Sequence, residues 1–221
     1  MRSLPFRPMR TIKTPALVPF CLSAALLLLT GCAQIAGGYR VPDDSDKSRS
    51  YSSIAGDIDV GRQGSIRNAK TIAGDIDIRE RTRVGSLSSI AGSIRLAEEV
   101  RVAGSIKTVA GDVDLAEGCT VAGDISTVAG HVRLDGSEVI GDVTVSRGKL
   151  DLVRTRVGGT VHIRKFKRAG SDPDAEPAEV TIGPASTVKE VVAEKNAFVR
   201  VRIHRTAKVG TVTGIAPEYF D

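Results

Sequence analysis

The chain has 221 residues, enough for one domain or two small ones, with 41% hydrophobic and 26% charged residues. Aromatic residues make up only 4% and Trp is absent, which excludes a core built on large rings and an aromatic platform for stacking single-stranded nucleic acid. The formal charge of +5 includes Arg2, Arg7, Arg10 and Lys13; without these four, 27 basic residues face 26 acidic ones, and a balance of +1 leaves no nucleic-acid footprint.

Those four cations lie in a leader without any acid. From Ala16 to Leu29 the chain is apolar for 14 residues, short of the roughly 20 that span a bilayer. This predicts a secretory signal over 1–31. The leader ends in Leu29-Thr30-Gly31-Cys32. The tetrapeptide resembles the lipobox of bacterial lipoproteins. The resemblance implies cleavage before Cys32, acylation of that residue (palmitate among its chains) and a membrane as partner. Several acyl chains, at about 0.8 kcal/mol per buried CH₂, would hold the protein firmly. The next residue is Ala33 rather than Asp. By the same resemblance this implies the outer membrane, on its periplasmic face or at the cell surface. Cys21 leaves with the leader and Cys32 carries lipid, so Cys119 has no partner for a disulfide. It aligns with Val100 one repeat earlier and reads as a small core residue.

Cys32 and residues 33–50 are polar, with Gly, Asp and Ser and no apolar period. They predict a flexible tether with an r.m.s. span of roughly 25 Å.

A repeat follows over 51–212. The segments SIAGDIDV (53–60), TIAGDIDI (71–78), SIAGSIRL (89–96), TVAGDVDL (108–115) and TVAGHVRL (127–134) are copies of one unit. Their glycines, Gly56, Gly74, Gly92, Gly111 and Gly130, are 18, 18, 19 and 19 residues apart. A second series, Gly85, Gly104, Gly123, Gly141 and Gly159, interleaves at spacings of 19, 19, 18 and 18. Such periods mean stacked units. Aliphatic residues recur every six positions from Ile54 through Val60, Ile66, Ile72 and Ile78 to Val102. Six does not suit a helix, whose apolar face repeats every 3.6 residues. It suits three short strands per coil, with Ile54, Ile58 and Val60 facing in and Asp57 and Asp59 facing out. The fold class is therefore all-β: a three-sided parallel β-solenoid of about eight coils, stacked about 4.8 Å apart. Residues 166–179, with Pro173 and Pro177, break the period and predict a loop insertion. Residues 213–221 read as a cap or tail.

Stacking predicts columns. At the third position after each glycine stand Asp59, Asp77, Arg95, Asp114, Arg133 and Asp151, alternating in sign from Asp77 onward. This is a candidate ion-pair ladder that sets register. Asp57, Asp59, Asp75 and Asp77 read as a solvated acidic face, so neither a metal nor a cofactor is expected. Near the C-terminus Arg200, Arg202 and His204 alternate with Val201 and Ile203, a candidate binding face for an envelope polymer or anionic lipid.

No P-loop, dinucleotide fingerprint, metal-ligand spacing or Ser/His/Asp signature occurs, so no catalytic residue is expected. The T-V-A-G-D-V-D-L unit resembles the bactofilins, polymer-forming proteins with short triangular β-solenoids. It also resembles an exported adhesin-like β-solenoid family. The resemblance implies a non-catalytic, lipid-anchored structural or interaction protein of the envelope. Self-association through the solenoid ends and an envelope polymer are its candidate partners.

Overall fold

Each repeat lays down three short strands and turns between them. A computed structural model describes residues 32–34, 37–164, 178–194 and 199–221. Among these residues there is no helix. Every strand pairs parallel with its counterpart one coil away, giving a β-solenoid of about nine turns. These residues fall in one compact unit over 31–221.

The first face runs through Tyr39–Val41, Ile58–Val60, Ile76–Ile78, Ile94–Leu96 and Val113–Leu115, and continues through 132–134, 150–152, 180–182 and 201–203. The second carries the pairs 65–66, 83–84, 101–102, 120–121 and 138–139. The third carries 51–53, 69–71, 87–89, 106–108, 125–127 and 143–145. Two residues per strand point into the prism and the one between points out. On the first face Ile76, Ile94, Val113 and Val132 are fully buried, each stacked on its equivalent. The prism is too narrow for rings in its middle. Among the described residues the Tyr and Phe side chains lie only in the first and last coils: Tyr39 against Tyr51 at 5.3 Å between centroids, and Tyr219 and Phe220 at the far end.

The stack departs from expectation in two places. It starts earlier than Ser53, since Cys32–Gln34 pairs with 51–53 and Tyr39–Val41 with Ile58–Val60. Residues 39–50 are thus wound into a coil and form no free tether. Arg40, Asp43, Asp44, Asp46, Ser48 and Arg49 are exposed, while Val41, and Tyr51 just beyond, are buried. Second, of the insertion over 166–179 only Ala178 and Glu179 are described, and both are in the strand Ala178–Ile182. The tail over 213–221, read as a cap or tail, ends in a strand, Glu218–Phe220, laid on 202–204.

The inward pattern also needs correcting. Ile58 and Val60 are buried, but Ile54 is 47% exposed. The same holds for Ile72, Ile90, Val109 and Val128. The inward position on the third face is the residue before each of them: Ser53, Thr71, Ser89, Thr108 and Thr127, all buried. The aliphatic period of six therefore slips by one at every third strand. Buried hydroxyls at the turn into the second face bond to carbonyls of the preceding coil, Thr82 to Gly61 at 2.9 Å and Thr155 to Leu134 at 2.9 Å. Cys119 belongs to this column. It is 1% exposed, its Sγ lies 3.0 Å from the Ala97 carbonyl, and burial pushes its thiol pKa up.

Candidate functional surface

Parallel stacking turns sequence repeats into columns of side chains. At the third position after the glycine, Asp77, Arg95, Asp114, Arg133 and Asp151 stand in consecutive register. Arg95 is the hub. Its Nη1 lies 3.4 Å from Asp77 and reaches diagonally to Asp75 at 2.9 Å. Arg40 joins the column from the first coil, 3.4 Å from Asp59. Among the described residues no ion pair joins Asp114 to Arg95 or Arg133. Asp151 instead meets His131, with Nε2 2.7 Å from Oδ2. The alternating column is in register, but it is closed by ion pairs only in part. Asp77, Arg95, Asp114, Arg133 and Asp135 rim an open depression of about 570 Å³.

A second column works through the backbone. At several corners after the repeat glycine the turn carries the main chain out of the sheet ladder, and a side chain takes up the amide left over. Asp57 Oδ1 accepts the Asp75 N–H at 2.9 Å, Asp75 Oδ1 accepts that of Ser93 at 2.8 Å, and Asp112 Oδ1 accepts that of His131 at 2.8 Å. The Gly-Asp of the repeat is thus a corner clamp. The Ser93 amide, then Arg95, holds the Asp75 carboxyl below its ordinary value, against the opposing effect of partial burial. A depressed carboxyl contributes stability that is present above the ordinary carboxylate range and lost as pH falls through the lowered value. Asp57 and Asp75 are engaged by amides, and Asp59 and Asp77 by arginines. Among the described residues no group of three or more His, Cys, Asp or Glu side chains is arranged to hold a metal ion.

Arg95→Asp would set a carboxylate among Asp75, Asp77 and Asp114, exchanging two attractions for three repulsions. The expected result is a thermal midpoint lowered by a few degrees, with most of the loss recovered in high salt. An unchanged midpoint would show that the column adds nothing to register.

The C-terminal cations share one outer face but are already engaged. Arg200 Nε lies 3.9 Å from Glu218, and Arg202 lies 3.9 Å from Glu179 with its guanidinium 4.9 Å above the Phe220 ring centroid. His204 Nδ1 is 2.8 Å from the Thr206 hydroxyl, and its ring meets Phe220 edge-on at 5.2 Å. Two histidines meet carboxylates that lie far from them in sequence. One coil of separation supplies two: Asp151 for His131, and Asp142 for His162 at 3.7 Å. Among the described residues neither ring is bonded to a hydroxyl or thiol.

Leu29, Thr30 and Gly31 lie outside the described residues. Cys32 is described only as backbone, in register with Tyr51.

The surface feature that sequence reading missed is apolar. Ile54, Ile72, Ile90, Val109 and Val128 are 36–47% exposed and stand one above another at the edge of the third face. Each is followed by an alanine, and Ala55, Ala73, Ala91, Ala110 and Ala129 pair in register. The signal for it was the hydroxyl residue before each aliphatic.

No protein-family model matches the chain, and no curated protein or solved structure is significantly similar to it. The stacked parallel coils are compatible with a bactofilin-like repeat fold.

Proposed function

We propose that this chain is a lipid-anchored, non-catalytic structural element of the bacterial outer membrane, held at Cys32 and self-associating through the ends of its solenoid. The observation that carries the reading is a parallel stack whose terminal strands each have one neighbour. Cys32–Gln34 pairs only with 51–53, Lys208–Thr213 with 187–192, and Glu218–Phe220 with 202–204, among the described residues. An open edge is a template for a further strand. In a one-dimensional stack the same pairing that joins coils can join molecules. The anchor is supported by Leu29-Thr30-Gly31-Cys32 directly after an apolar stretch. The likeness of the repeat to bactofilins and adhesin-like solenoids supports a structural role over catalysis.

Two measurements test this. Mass spectrometry of the membrane-extracted chain should find a new N-terminus at Cys32 carrying acyl mass, and Cys32→Ala should leave the leader uncleaved. Electron microscopy of the purified protein should show filaments that lengthen with concentration. A strict monomer at high concentration overturns self-association, and an unmodified Cys32 overturns the anchor.

A further inference from the structure

The exposed column of Ile54, Ile72, Ile90, Val109 and Val128 is unusual because soluble surfaces rarely align apolar side chains. Five levels stacked about 4.8 Å apart make a strip about 19 Å long. The fold has no internal use for it: the prism is already filled by the residues on either side, such as Thr71 and Ile76 around Ile72.

We propose that this strip and the outer side of the third face are a membrane-contacting surface that lays the solenoid along a lipid bilayer. Three observations favour lipid over other occupants. The strip begins where the chain would be anchored. Cys32–Gln34 is itself a strand of the third face, and Gln34 pairs with Ser53, the residue before Ile54. The Cys32 backbone thus lies one coil from the head of the strip, and the described chain leads from it straight into the solenoid. The outward residues next to the strip are also cationic or neutral over four coils: Ser52, Lys70, Ser88 and Lys107. Two lysines beside an aliphatic strip suit the interface of a bilayer containing anionic lipid. The acids three residues after Ile54, Ile72 and Val109, namely Asp57, Asp75 and Asp112, lie beyond the corner glycine, and each has an oxygen taken by a backbone amide. The proximity argument rests on the anchor proposed above; the aliphatic strip and its lysines do not.

The chain has no Trp, so a single introduced indole reports its own surroundings. Ile72→Trp, on the strip, is compared with Arg133→Trp, on the first face, in full-length protein reconstituted into phosphatidylethanolamine–phosphatidylglycerol vesicles. The expected result is blue-shifted emission and several-fold weaker acrylamide quenching for Ile72→Trp alone, with quenching by brominated phospholipid. Equal solvent exposure of the two indoles overturns the proposal. So does protection of Ile72→Trp that grows with protein concentration in the absence of lipid, which assigns the strip to a second copy of the chain. Ile90→Trp repeats the measurement should Ile72→Trp not fold. The anchor is read separately, by mass at Cys32. An unacylated chain with its indole in lipid retains the surface and removes the anchor, and an acylated chain with an exposed indole does the reverse.

Discussion

Gly92→Ala is expected to destabilise the solenoid by about 3 kcal/mol or more. Gly92 lies at the corner between the third and first faces, with φ +149, a conformation that L side chains rarely adopt. A Cβ there would fall well inside van der Waals distance of the Gly74 carbonyl oxygen in the coil below. Neither neighbour can yield cheaply. The Gly74 N–H donates to the Ala91 carbonyl at 3.1 Å, and the Gly92 N–H donates to Ala110 at 3.1 Å. Forcing the corner open would stretch both bonds and lift one coil off the next. For a domain of this size the expected loss is roughly 10 °C in thermal midpoint, read by circular dichroism. Gly158→Ala is the control. Its φ is ordinary and its Cβ would approach the Ile140 carbonyl only to 3.1 Å, so a much smaller loss is expected. Because coils interact only with neighbours, the Gly92 defect should also broaden the transition. Equal melting of the two variants would mean that the corners do not set coil spacing.

Coil length and the three-faced path were legible in the sequence because every turn of a solenoid repeats one geometry. The interleaved glycines mark two of its corners, so their spacing is the coil length. What escaped depends on facts that repeat spacing does not carry. The first coil looks like a linker because Arg40, Asp43, Asp44 and Ser45 are polar, yet a coil needs only a few inward residues, and Val41 and Tyr51 suffice. The partners of the charge column escaped because register places backbones and not side-chain ends. Arg95 prefers a diagonal contact with Asp75, whose carboxylate is already fixed by the Ser93 amide. His131 turns toward Asp151 for a similar reason: its own amide is tied to Asp112 and its ring hangs over the next coil. The apolar strip is hidden in the sequence because an aliphatic residue in a strand pattern reads as buried. At the third face a hydroxyl residue goes inside and the aliphatic one goes outside.

That inversion makes the second large effect, because two isoleucines four residues apart in one repeat should behave oppositely. Ile94→Ala is expected to cost about 2–5 kcal/mol, and Ile90→Ala less than about 0.5 kcal/mol. Ile94 is fully buried on the first face, stacked between Ile76 below and Val113 above. Truncating it leaves a void that the rigid coils cannot close, so the lost transfer energy and the cavity add. Ile90 is 44% exposed beside the corner, and its loss opens no cavity. Urea unfolding at fixed pH measures both. Similar losses for the two would put Ile90 inside the prism and abolish the exposed strip. With the expected asymmetry, the recurrence of an aliphatic side chain at 54, 72, 90, 109 and 128 is not a requirement of the buried core.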